Sequence, residues 1–388
     1  MDVVRLLSEL VRIPSVNPMG RALPDEIILE SRVTSFMEKY FQGLGIRTQR
    51  FEALPGRENL VAFLDPPGNP LQTILFEAHQ DTVPVDGMVI EPFCGKVDGG
   101  KLFGRGACDV KGGMAAMATA FAKIHANKRA GMPQLIMACT VDEEHGFYGV
   151  QNLVSQNFLS GKKSESIWAV VAEPTQLHIV NAHKGAVRWD LVAKGVSCHS
   201  STPHLGDNAI YKMARVLPCV EEYAKILMES RSHPRLGKPT ISCGTVRGGT
   251  SVNTVPDICS VQMDRRLLPG ETPQGAWNDF NTWMKKNSPV AFEVTEPWLA
   301  APALGDELSG QLVDHLGTVI KKHIGTLDVD AVPYGTDAAS LAEAGIPTVV
   351  FGPGNIAQAH TKDEWIDIHQ LQQAVDILVD MVLGVKDS

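Results

Sequence analysis

The chain has little of what would mark it as secreted, membrane-bound or nucleic-acid-binding. Its seven cysteines are dispersed without a CxxC pair, and an odd number of scattered thiols suits a reducing compartment better than a disulfide framework. No apolar stretch reaches the roughly 20 residues that span a bilayer, and Met1-Asp2-Val3-Val4-Arg5 lacks the basic region and apolar core of a secretory leader. Positive charge is not in excess. The formal net charge of -9 gives no electrostatic reason to expect nucleic acid or anionic membrane as a partner. The 44 acidic residues form no long runs, and there is no internal repeat or low-complexity tract. With 44% hydrophobic and 20% charged residues, the expectation is a complete, cytoplasmic, globular protein.

At 388 residues the chain exceeds what one hydrophobic core usually supports, so two domains are expected. Val3, Leu6, Leu7, Leu10 and Val11 recur at helical spacing and stop before Pro14, which predicts an amphipathic first helix. Beyond it, the apolar runs Thr73–Phe76, Leu135–Val141, Ile167–Ala172 and Thr348–Phe351 read as strands buried on both faces. From about Lys184 the character changes. Val187, Trp189 and Leu191 alternate with polar residues, as do Cys259, Val261 and Met263, the pattern of antiparallel strands with one wet face. Between them, Ile210, Met213, Val216, Leu217, Val220, Ala224 and Leu227 suit an amphipathic helix, with Pro218 expected to disturb it. The pattern of helices and buried strands returns near Trp298 and ends in a helix over Leu371–Leu383. The fold class is therefore α/β: a helix-covered, mainly parallel sheet formed by residues 1–183 and 297–388, with a smaller α+β domain, 184–296, inserted into it.

Each buried strand runs straight toward a candidate metal ligand. Open α/β sheets bind ligands beyond the carboxyl ends of their strands, and His79, Glu143, Glu144 and Glu173 all fall there, while Asp109 precedes an Ala-rich helix start and His360 follows the last run. Zinc accepts imidazole nitrogen and carboxylate oxygen. Two ions held ~3.5–4 Å apart need a carboxylate that bridges both. One Asp, two Glu and two His meet that requirement, and a third Glu is left free to act as a base.

Ala78-His79-Gln80-Asp81-Thr82-Val83-Pro84, the segment Gly104–Gly113 with Cys108-Asp109-Val110-Lys111, Asp142-Glu143-Glu144 and Ala172-Glu173-Pro174-Thr175 together resemble the co-catalytic zinc hydrolases. That family includes aminoacylase, acetylornithine deacetylase, succinyl-diaminopimelate desuccinylase and the glutamate carboxypeptidases. The resemblance covers nearly the whole chain. It departs at Ala78, where the family often has Gly, and at Val110, where Met is common; both are conservative in size and leave the ligands intact.

The resemblance implies two Zn2+ ions, with Co2+ or Mn2+ able to use the same ligands. His79 and Glu173 would hold one, Glu144 and His360 the other, and Asp109 would bridge them. Asp81 would orient His79 through its second ring nitrogen, and Glu143 would be the base that takes a proton from the attacking water. The inserted domain would act as a lid and dimerisation domain, and would supply an imidazole to the oxyanion, often across a homodimer. His199 and His204 are both candidates, with His199 the better match. Asn253, Arg266, Gly335 and Thr336 match positions at the substrate pocket, although Arg266 could instead pair with Asp264. His145 reads as a supporting or surface residue, and Cys108 as a packed small side chain. Ala182-His183-Lys184-Gly185 and Gly352–His360 are most similar to acetylornithine deacetylases. The implied substrate is a small N-acyl amino acid, with dipeptides, a C-terminal glutamate or N-succinyl-diaminopimelate as alternatives. A catalytically silent binding homologue is a further alternative, disfavoured because no ligand and no base is missing.

Overall fold

The spacing at the start of the chain is realised as the helix Val3–Val11, whose Val3, Leu6, Leu7, Leu10 and Val11 are all buried. Asp2 caps it, accepting from the Arg5 backbone N–H at 3.0 Å. A helix this short persists only through tertiary packing, and it packs on the helix Lys111–Ala126. The computed structural model describes residues 1–160 and 166–384. They divide into two units: Met1–Asn181 with Asp306–Asp330 and Thr336–Ser388, and Ala182–Gly305 with Ala331–Gly335.

The first unit is built on an eight-stranded sheet ordered Arg47–Leu54, Arg57–Leu64, Gln134–Thr140, Thr73–His79, Ile167–Val171, Thr348–Val350, Ile179–His183 and Val329–Val332. Gln134–Thr140, Thr73–His79, Ile167–Val171 and Thr348–Val350 run parallel, so their carboxyl ends emerge on one side. The flanking pairs are antiparallel. Thr73–His79 is buried along its whole length, as the unbroken apolar run requires of a central parallel strand. Its alternation divides two faces. Ile74, Phe76 and Ala78 join the core formed with Val3–Val11, Lys111–Ala126, Gly310–Ile324 and Ile368–Leu383. Glu77 and His79 project from the other face.

The second unit carries an antiparallel sheet ordered Thr240–Gly248, Ile258–Leu267, Gly185–Lys194 and Glu293–Val294, with Leu299–Ala301 also paired to Gly185–Lys194. Val261 lies opposite Leu191 and Met263 opposite Trp189. These side chains form a core with Ala209–Ser230 and Pro273–Asn287. Pro218 lies inside the first of these helices without ending it, since Met213, Val216 and Val220 on either side are held in the core.

The inserted domain expected at 184–296 lies within the second unit, which is longer. The second unit runs on to Gly305 and takes in Ala331–Gly335. The reason is pairing: Leu299–Ala301 lies antiparallel to Ala186–Arg188, His183 and Leu304 exchange backbone bonds of 3.0 and 3.1 Å, and the Lys184 N–H reaches the Val332 carbonyl at 3.3 Å. These strands are too short to show a period. Among the described residues no helix is long and apolar enough to cross a membrane.

Candidate metal centre

His79 ends its strand, Asp142-Glu143-Glu144 follows the neighbouring strand Gln134–Thr140, and Glu173 lies two residues beyond Ile167–Val171. Because these strands are parallel neighbours, the four side chains are delivered to one place. Asp109 precedes the helix Lys111–Ala126. That helix start comes close to the Glu173 strand because position 113 is glycine: a Cβ there would stand 2.7 Å from the Cβ of Ala172. Asp142 turns the chain out of its strand with φ of 67°, and His360 has φ of 61°, left-handed conformations that Asp and His tolerate better than most residues.

The two oxygens of Asp109 face two different imidazoles. His79 Nε2 is 3.2 Å from Oδ1, and His360 Nε2 is 3.3 Å from Oδ2. His79 Nε2 also lies 3.9 Å from both Glu173 Oε1 and Glu143 Oε2, and His360 Nε2 lies 3.2 Å from Glu144 Oε2. Ligand atoms sharing one tetrahedral zinc at ~2.0–2.1 Å are roughly 3.3 Å apart, so this donor set fits metal ions. Glu144 Oε1 is buried with no hydrogen-bond partner, which a cation would satisfy. Among the described residues, two groupings of ligand atoms are compact enough for an ion: His79, Asp109 and Glu144, and His79, Glu143 and Glu173. The second includes Glu143, so proximity alone does not separate a base from a ligand there.

The electrostatics show how much the site lacks without cations. Burial pushes Glu144 up to about 7, and it holds Glu143 and Glu173 well above the usual carboxylate range despite the His79 ring beside both. Burial opposes the charge of Asp109 too, but the bonds from His360 and His79 outweigh it and keep this acid ionised. Bonds to Asp109 and Glu144 raise His360 to about 10.

Around the ligands lies a layer of which the sequence pointed only to Asp81. Asp81 contributes in two ways: its main-chain carbonyl is 3.0 Å from His79 Nδ1, nearer than its carboxylate at 3.6 Å. That carboxylate instead accepts the backbone N–H groups of Glu143 and Glu144, both at 3.2 Å. Asn17 donates to Asp81 at 2.8 Å and to Asp142 at 2.9 Å. Arg57, paired with Glu30, reaches Asp142 Oδ1 at 2.7 Å. Behind His79, the single hydroxyl proton of Thr140 serves two buried carboxyls, Glu77 and, at 3.1 Å, Asp337. Burial moves Glu77 up to about 7 and Asp337 well above its usual range. Cys108 is buried with its thiol pushed up by burial and turned to the Asn355 carbonyl at 3.3 Å, a packed side chain. His145 is half-buried.

The remaining candidates are placed as follows. His199 is exposed, with Nδ1 2.7 Å from Ser201 Oγ, and its strand-like segment bridges Thr254 beside Asn253. His204 is also exposed, in the short turn Pro203–Leu205. Arg266 is half-buried and donates to Asp264 at 2.6 and 3.2 Å, the pairing its sequence neighbourhood allowed. Gly335 stands against the Lys184 carbonyl. Thr336 is buried, and its hydroxyl accepts from Ala338 N–H at 3.2 Å.

Known proteins are similar to this chain along most of its length. The family described as Peptidase family M20/M25/M40 matches residues 75–384. An acetylornithine deacetylase of Vibrio atlanticus (strain LGP32) is 30% identical over 354 residues, 89% of either chain. One of Photorhabdus laumondii subsp. laumondii is 31% identical over 374 residues, 94% of this chain and 92% of that one. Among solved structures, an M20 family metallo-carboxypeptidase from Sulfolobus solfataricus superposes with a TM-score of 0.79 at 18% identity, covering 98% and 99% of the two chains. A dinuclear metal binding peptidase of the M20 family from Bacillus subtilis gives 0.68 at 16% identity, covering 98% and 96%. The chain belongs to Peptidase family M20/M25/M40, and it is a metal-dependent hydrolase.

Proposed function

We propose that the protein removes an acyl group, acetyl first, from a small N-acyl amino acid such as N-acetylornithine. The observation that carries this substrate class is the 30–31% identity to acetylornithine deacetylases across 89–94% of the chain. His79, Asp109, Glu144, Glu173 and His360 would hold the metal, with Asp109 facing both imidazoles. Two zinc ions, or cobalt or manganese in their place, would supply Lewis acidity, lowering the pKa of water and polarising the scissile carbonyl.

The protein's own groups do the rest. Glu143 Oε2 accepts a proton from the attacking water and returns it to the departing amine; the second water proton follows as the product acid ionises, so amide and water become carboxylate and ammonium. Asp81 steadies this base by holding its backbone N–H. His199 donates to the oxyanion, and Asn253, Arg266, Gly335 and Thr336 contact the substrate. We further infer a homodimer formed through the second unit and a cytoplasmic location within amino-acid metabolism; the free state of all seven cysteines supports a reducing compartment.

The test is amine release from N-acetylornithine, other N-acetyl amino acids, N-succinyl-diaminopimelate and dipeptides, with zinc-loaded and chelated protein. Chelator-sensitive turnover of acetylated substrates is the expected result. Turnover of dipeptides or the succinyl substrate alone would refute the deacetylase reading in favour of those activities, and no turnover of any substrate would leave a binding homologue.

A further inference from the structure

We infer that Glu364 is the positioning residue of the metal centre: it fixes the backbone of the loop that presents Asp109 and ties to it the segment that presents His360. This rests on the reading of Asp109 and His360 as ligands.

Glu364 is fully buried, and every oxygen of its side chain is used. Oε1 accepts the backbone N–H groups of Cys108 at 2.8 Å and Asp109 at 3.0 Å. Oε2 accepts the Gly106 N–H at 3.1 Å and the Arg105 guanidinium at 2.7 Å. Its own carbonyl accepts from Gly104 N–H at 3.0 Å. The contacts reach across as many as 259 positions of sequence, so no local turn makes them. The adjoining strand continues the tie, with Trp365 opposite Phe103 and Ile366 opposite Leu102.

A buried ion pair with Arg105 would explain one of these bonds. It does not explain why three of the four donors to the side chain are amides of one loop, Gly106, Cys108 and Asp109, ending on the residue whose carboxylate faces both imidazoles. An ionised carboxylate is the group suited to that number of donors. Glutamine in its place offers one oxygen, and its NH2 would confront either the Cys108 and Asp109 amides or the Gly106 amide and Arg105. Asp109 has little freedom to compensate, being shared by His79 and His360 at 3.2 and 3.3 Å.

The experiment compares the full-length wild type with Glu364→Gln and Arg105→Met, titrating Co2+ against a chromophoric chelator and recording the visible spectrum of the Co2+ form. Glu364→Gln is expected to bind Co2+ about 10–100-fold more weakly, as loss of groups that orient metal ligands typically does, with a changed spectrum. Arg105→Met, which removes the ion pair and spares the loop amides, is expected to melt lower without cobalt yet stay within about threefold of wild-type affinity. Should Glu364→Gln fail to fold, Glu364→Asp takes its place with the same expectation. Wild-type affinity and spectrum in the Glu364 variant would overturn the inference, as would equal weakening in Arg105→Met. A wild-type chain that binds no Co2+ would instead overturn the metal reading beneath it.

Discussion

Replacing Glu143 with glutamine separates its proposed role from the alternative that it is a ligand. Glu143 is buried, its backbone N–H is held by Asp81 at 3.2 Å, and its Oε2 lies 3.9 Å from His79 Nε2. Glutamine keeps the shape but cannot accept and return a proton. Positioned proton transfer contributes about 10²–10⁴ in rate, so kcat should fall by that factor, roughly 3–5 kcal/mol of barrier. Metal content should stay at the wild-type value. Stability supplies an independent sign. Burial, followed after the opposing His79 by the neighbouring Glu173, Glu144 and Asp109, holds the folded pKa of Glu143 well above its usual value. Stability attached to such a group is complete below the unfolded pKa and is lost as pH rises through the folded one. Metal-free Glu143→Gln should therefore melt higher than wild type near pH 8, and the gap should close near about pH 4. Stopped activity with parallel loss of metal would make Glu143 a ligand, and unchanged kcat would refute the mechanism altogether.

Metal affinity should rise with pH, because Glu144, raised to about 7, and His360, raised to about 10, must both shed protons to bind a cation; calorimetry in buffers of different ionisation heats should detect proton release at pH 7, and none would contradict the assignment. Asn17→Ala removes one buried donor from each of Asp81 and Asp142, so urea unfolding should show a loss of about 2–4 kcal/mol together with reduced kcat; an unchanged midpoint would show that water replaces the amide. His199→Ala should lower turnover while metal content measured by elemental analysis stays constant, and the same behaviour in His204→Ala instead would move the oxyanion role to that residue. His183 is fully buried and burial lowers it to about 4, so protonation of the unfolded chain below pH 6.5 should erode stability by up to about 3 kcal/mol as pH falls toward 4; a melting temperature flat over that range would exclude it.

The sequence alone determined the candidate site residues and the elements that present them. A helix period of 3.6 and an unbroken apolar run are local facts, and they were enough to mark Val3–Val11 and the four parallel strands, since burial constrains every residue of such a segment, while the motifs at the strand ends marked the candidate ligands by resemblance. Tertiary structure alone decided what holds those ligands. Asn17, Glu30, Arg57 and Glu364 look like ordinary polar residues until strand pairing brings them to the site, because a hydrogen bond between positions 364 and 109 leaves no periodic trace in either segment. The same is true of Arg266, whose pairing with Asp264 depends on side-chain direction, and of the boundary at Gly305, set by a three-residue strand. Periodicity records which face a residue turns inward; the partner it meets there is fixed only when the chain closes on itself.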